Sequence, residues 1–162
     1  MKIRTKYRPE LICSKDFTRT IIMDCELREL DGKPVLCATD GRRLVVIPVE
    51  EADPKEYGRV PSKALRFARQ NRKDKKQQVV KMSLNGNVEF DNGWTMPRQQ
   101  ELTYPNISNV IPNRTGDTKI SFSSKYLYEL AQAMGVDVVT LNLREPTDPI
   151  KVTAQNEEAF GV

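Results

Sequence analysis

A block of residues recurs in this chain, and the recurrence restricts the fold more than any other feature. Arg59-Val60-Pro61-Ser62-Lys63-Ala64-Leu65 lines up with Ser121-Phe122-Ser123-Ser124-Lys125-Tyr126-Leu127. Further on, Val79-Val80-Lys81-Met82-Ser83-Leu84 matches Val138-Val139-Thr140-Leu141-Asn142-Leu143. Each copy reads as a strand, a helix and a meander of short strands. One strand pattern recurs by chance, but the same order of elements with matching residues does so far less often. The implied architecture is α+β, with repeated β-α-β-β-β units whose two helices pack on antiparallel sheet.

Local signals fill in that outline. Residues Ile3 to Tyr7 alternate apolar and charged, and Thr20 to Leu27 reads as a strand. Asp31-Gly32 turns the chain, Val35 to Ala38 returns it, and Leu44 to Val49 is a β-branched run suited to a buried strand. The acidic, Pro54-containing stretch from Glu50 to Gly58 is a loop. A helix then starts with Ser62 as N-cap and Ala64, Leu65 and Ala68 on one face. Val79 to Leu84, Val88 to Phe90 and Trp94 to Met96 form the first meander, separated by Asn85-Gly86 and Asp91-Asn92-Gly93. In the second copy the strand is Lys119 to Phe122 and the helix runs from Ser124 to Met134, closed by Gly135. Its meander comprises Val138 to Leu143, Ile150 to Ala154 and Ala159 to Val162, with turns at Pro146-Thr147-Asp148 and Gln155-Asn156. Residues 1–58 are thus a strand-rich segment of the same fold, 59–112 the first unit with its connector, and 113–162 the second unit.

Composition excludes several chemistries. The chain has 162 residues and no histidine, which removes Ser-His and Cys-His nucleophile pairs, imidazole acid–base work and His-containing zinc sites. Gly-rich phosphate loops, paired-carboxylate motifs and metal-ligand spacings are also missing, so no catalytic residue, metal or cofactor is assigned. An α+β enzyme using carboxylate chemistry is the least favoured class. The three cysteines, Cys13, Cys25 and Cys37, are odd in number and form no Cys-x-x-Cys pair. Reduced thiols in a cytoplasmic protein are expected. No apolar run reaches the ~20 residues of a membrane helix, and the N-terminus lacks the apolar stretch of a signal peptide.

Two features point to partners. Between Arg59 and Lys76 the chain carries eight Lys/Arg against one acid, Asp74. At about 100° per residue, Lys63, Arg66 and Lys73 fall on one side of the first helix with Arg69 at its edge, opposite Ala64, Leu65 and Ala68. Such a face suits non-specific phosphate contacts, and it equally suits a solvated helix surface. The other feature is Ala38-Thr39-Asp40-Gly41-Arg42-Arg43-Leu44. Asp-Gly favours a tight hairpin because both positions tolerate positive φ. Taken alone, it is an ordinary hairpin with two solvated arginines.

Together these residues resemble the sliding clamp of bacterial replication, the beta subunit of DNA polymerase III. The match to that family's Ala-Thr-Asp-Gly-His-Arg-Leu motif is the most specific element. Val60-Pro61-Ser62-Lys63 and the connector Tyr104-Pro105-Asn106-Ile107-Ser108-Asn109-Val110-Ile111-Pro112 are similar as well. The resemblance covers most of the chain from about Ile21 onward. It implies a DNA-clamp-like fold and a replication or repair accessory role as a processivity factor. By matching motif, Thr39, Gly41, Arg42, Arg43, Leu44, Pro105 and Val110 would line an apolar pocket for short peptide motifs of a DNA polymerase or clamp loader. Packing of Leu44 and Val110 in the core is the other reading. Lys63, Arg66, Arg69, Arg72 and Lys73 would meet duplex DNA without reading bases.

The chain departs from the family in being about one domain long, in carrying Arg42 for the motif histidine and in having no helix before the motif. It also ends at Phe160-Gly161-Val162 without the family's Met-Pro-Met tail, which implies a shallower pocket or one filled by a neighbouring subunit. A closed ring of such short chains requires a homo-oligomer. A clamp-fold adaptor that binds proteins without encircling DNA is the alternative. The second helix, with Lys125 and Glu129 among Tyr126, Leu127, Leu130, Ala131 and Met134, does not repeat the basic face.

Overall fold

Asp31 and Gly32 both adopt positive φ, 51° and 73°, the dihedral pair that a two-residue hairpin requires. They join β2 (Cys25–Leu30) to β3 (Lys33–Thr39), with Leu30 opposite Lys33 and Leu27 opposite Leu36. A computed structural model describes residues 1–71, 79–84, 86–99, 103–111, 119–145, 148–154 and 159–161. It divides the chain into two units, Met1–Ile107 and Ser108–Val162. The turns expected around Asn85, Pro146-Thr147 and Gln155-Asn156, and the end of the connector at Pro112, lie outside the described residues.

In the first unit, β2 and β3 form the centre of an antiparallel sheet. Its edges are β4 (Leu44–Pro48) and β5 (Gly58–Val60), giving the order β4-β3-β2-β5. A second antiparallel sheet combines β1 (Lys2–Arg4), β6 (Val79–Ser83), β7 (Asn87–Phe90) and β8 (Thr95–Pro97) in the order β1-β6-β7-β8. Helix α1 (Ser62–Gln70) links β5 to β6. The order β5-α1-β6-β7-β8 is the strand, helix and meander read from the repeat. Alternation sends Val88 and Phe90 of β7 inward, as a half-buried strand demands. Ile3, Leu27, Leu36, Val60, Leu65, Leu84 and Val88 are fully enclosed in one core that draws on both sheets and on α1. The N-terminal strands therefore share their core with the first repeat.

Two sequence expectations fail here for one reason. Thr20–Met23 is a 3₁₀ turn rather than the start of a strand, and Pro61, not Ser62, is the N-cap of α1. Asp24 lies between the 3₁₀ turn and β2. Its carboxylate accepts from the Ser62 amide at 3.2 Å and from Arg59 Nη2 at 2.9 Å. A carboxylate from elsewhere in the chain thus caps the helix, where the exposed amides and the dipole favour negative charge. Holding Asp24 at that position turns the chain before Cys25, and tertiary contact overrides the β-branched composition of the run.

Buried charges tie the first unit together. Arg98 is only 7% exposed, and its guanidinium donates to three carbonyls: Leu84 and Glu56 at 2.5 Å each, and Arg59. Burial pulls its proton affinity below the ordinary arginine range, and the Glu56 charge opposes that effect. The Glu56 carboxylate accepts from the Met1 ammonium at 2.6 Å, the Leu84 amide at 3.2 Å and the Asp53 amide at 3.1 Å. All three cysteines are free and buried, with Cys13 Sγ and Cys25 Sγ 3.5 Å apart. Burial pushes the Cys37 thiol up to about 11.

The second unit holds α2 (Ser124–Met134) and a sheet of β9 (Val139–Asn142), β10 (Lys151–Ala154) and β11 (Phe160–Gly161), in the order β11-β10-β9. Gly135 ends α2 at φ 68°, a left-handed cap that few other residues adopt without strain. Residues 119–122 form no strand. In the first unit β5 exists by pairing with β2. Among the described residues the second unit has no counterpart of β2 to pair with an opening strand. No residue of α2 is buried. Among the described residues no helix is long and apolar enough to cross a membrane.

Replacing Arg98 by Met keeps the stem and removes the donors to three enclosed carbonyls. The expected loss is on the order of 3 kcal/mol, read from urea unfolding midpoints. A variant as stable as the parent would remove Arg98 from this role.

Candidate nucleic-acid interface and peptide rim

Helix α1 presents the cations that the periodicity placed there. Ala64, Leu65 and Ala68 are buried, whereas Lys63 and Arg66 are exposed one turn apart. Neither makes an ion pair among the described residues. Arg69 behaves differently. Its Nη1 donates to the Thr5 carbonyl at 2.6 Å, and Nη2 donates to both oxygens of Glu10 at 3.0 and 3.2 Å. Glu10 is 1% exposed, so Arg69 neutralises a buried carboxylate and holds the 3₁₀ turn Pro9–Leu11 against α1. Arg72 and Lys73 lie outside the described residues.

The motif around Asp40 folds into a four-residue loop rather than a two-residue hairpin, with Thr39 opposite Leu44. Only Gly41 takes positive φ there, at 87°. The physical reason is the Asp40 side chain. Its Oδ1 accepts from the amides of Arg42 and Arg43 at 2.9 Å each, and Oδ2 accepts from Arg43 Nη2 at 2.9 Å and Nε at 3.1 Å. Thr39 closes the loop, its hydroxyl donating to the Arg43 carbonyl at 2.7 Å and accepting from the Gly41 amide at 3.0 Å. These bonds, led by the two amides, hold the Asp40 carboxyl far below the usual carboxylate range. Arg19 Nη1 lies 2.9 Å from where a Cβ on Gly41 would stand. The Arg19 and Arg43 guanidinium groups therefore both reach this exposed loop, which also carries Arg42.

Of the other rim residues, Leu44 is half-buried and Pro105 exposed. Tyr104, directly before Pro105, is buried beside the Thr39 backbone and near Cys13 and Cys25, and that burial pushes its hydroxyl up. Val110 belongs to the second unit and is 66% exposed. Neither Leu44 nor Val110 is a core residue.

Two features escaped the sequence reading. Trp94 stands 65% exposed beside Phe67 of α1, ring centroids 5.6 Å apart, and Phe67 in turn meets Phe90 at 4.7 Å with the rings tilted 55°. The available signal is a tryptophan directly after a glycine turn, which by local pattern reads only as the start of a strand. In the second unit, Phe122, Tyr126, Leu127, Leu130, Leu141 and Ile150 line an apolar groove of about 410 Å³. It follows from an apolar helix stripe with little to cover it. Among the described residues, no group of three or more Cys, Asp or Glu is placed to hold a metal ion. No protein-family model matches this sequence, and no curated protein matches it either.

Asp40 supports a pH prediction. A depressed carboxyl gives loop order that is fully present above the ordinary aspartate value of about 3.9 and is lost only as pH falls through the lower folded value. In an NMR titration the Asp40 carboxyl should have its midpoint below that ordinary value, with amide exchange of Arg42 and Arg43 rising as it protonates. A midpoint at or above it would contradict the capped loop.

Proposed function

We propose that this chain is a non-enzymatic tether of the sliding-clamp type, holding a protein partner on duplex DNA. The observation that carries the reading is the pair Lys63 and Arg66, exposed on the open face of a helix whose other face is buried. Cations fixed on a rigid helix attract phosphates over a Debye length and read no bases, which suits a protein that must move along DNA. Arg69 is left out of the contact set because its charge is committed to Glu10. The partner-binding rim is the Thr39–Leu44 loop with Pro105. Its bonded geometry and the exposed Arg42 suit a short peptide with apolar anchors and an acidic residue. The partner class is a polymerase or clamp-loader peptide. In the ring form of this reading, several copies of the chain encircle DNA.

A second reading, a protein-binding adaptor that does not encircle DNA, is favoured by the apolar groove of the second unit. Oligomeric state separates the two. Light scattering that finds only monomer at high concentration would remove the ring and leave the adaptor.

The phosphate contacts are tested by duplex binding in a salt series. The wild-type affinity should fall steeply with salt. Lys63→Ala with Arg66→Ala should weaken binding and flatten the log–log salt slope by about 2. Binding indifferent to salt, or unaltered in the double variant, would rule out the tether.

A further inference from the structure

We infer that Trp94 is a base-stacking site for single-stranded nucleic acid, set beside the cations of α1; this rests on the reading that the α1 face meets phosphates. Trp94 occupies the end of the turn between β7 and β8, and that turn is closed by its own hydrogen bonds. The Gly93 amide donates to the Phe90 carbonyl at 2.9 Å, the Phe90 amide to the Trp94 carbonyl at 2.9 Å, and the Trp94 amide to Asn92 Oδ1 at 3.2 Å. Gly93 takes φ 85°, which a residue with a side chain rarely adopts. The indole is backed by Phe67, tilted 38° to it, and Phe67 is backed by Phe90. One side of the ring is therefore supported while most of its surface remains open to solvent, so little side-chain freedom is left to lose on binding.

Phe67 also places the indole relative to charge. It follows Arg66 directly and lies four residues after Lys63, so all three share one side of α1. Cations for the backbone and an open aromatic face for the base are the two components of a single-strand site. Bases inside a duplex are already stacked and offer no free face. The indole therefore selects an unpaired nucleotide, while the cations of α1 serve either form. Glu89 alternates to the other face of β7 from Phe90. Asp91 is exposed in the same turn. Stacking of this kind tolerates any base, so no sequence preference is expected.

Trp94 is the only tryptophan of the chain, so its emission reports on this site alone. The full chain is titrated at low salt with an oligo(dT) strand and, separately, with a duplex of equal length. Oligo(dT) should quench the emission strongly and the duplex weakly. In anisotropy with labelled strands, Trp94→Ala should lower oligo(dT) affinity roughly 5- to 100-fold and leave duplex affinity unchanged. Trp94→Phe should recover part of the loss, and Trp94→Leu, which keeps apolar bulk without a π face, should not. Absence of quenching, equal quenching by both forms, or full binding by the Leu variant overturns the stacking site. If the duplex affinity still depends on Lys63 and Arg66 in that case, the tether reading survives. Oligo(dT) affinity that depends on Trp94 while the double variant binds duplex normally refutes the tether instead.

Discussion

The first unit depends on a guanidinium placed where water does not reach. Arg98 gathers the carbonyls of Glu56, Arg59 and Leu84, three segments from the margins of two different sheets. Glu56 ends a 3₁₀ turn, Arg59 lies on the edge strand β5 and Leu84 follows β6, and each carbonyl would be costly to enclose unbonded. Glu56 supplies the counter-charge and binds the Leu84 amide, so both backbone groups of Leu84 are answered by side chains. The charge costs desolvation, and its contacts specify one arrangement of the sheets over others. The apolar core alone is non-directional and does not supply that choice.

The same logic recurs at the helix. Asp24 caps α1 and holds Arg59, and Glu10 holds Arg69. Polar side chains from the irregular segment before β2 thus reach both ends of α1 and fix it over the core. What this leaves on the open face is Lys63, Arg66 and the Phe67–Trp94 pair. The cations not required by the fold stand outward on a helix that cannot rotate. At the Asp40 loop Arg42 is exposed, whereas Arg43 is bound to Asp40 and Arg19 pairs with Asp16 at 3.8 Å. Structural and available charges are interleaved in sequence and separate only in space.

Much of this was legible in the residues, and the misses share a character. The order β5-α1-β6-β7-β8 followed from glycine turns and amphipathic period, both of which act within a few residues. The faces of α1 followed from the same period, which is why Lys63 and Arg66 stand where expected. The fate of Arg69 did not, because Glu10 lies 59 residues away. The Thr20–Met23 run had the composition of a strand, yet the demand for a cap at Ser62 turned it. The Asp40-Gly41 pair had the composition of a tight hairpin, yet the carboxylate answered two amides and opened the loop. Lys119 to Phe122 matched a strand for which the second unit provides no pairing partner among the described residues.

By itself, then, the sequence determined an α+β plan, the tight turn at Asp31-Gly32, the inward and outward faces of α1, and the absence of imidazole chemistry. Those properties arise from backbone dihedrals, side-chain period and composition, all of which act locally. Only the tertiary structure decided which charges hold the fold and which stand free, how the first helix is capped, and that Trp94 is braced by Phe67 beside the cations. Each of those outcomes turns on an ion pair, hydrogen bond or ring contact between residues distant in sequence. Such contacts leave no periodic trace along the chain.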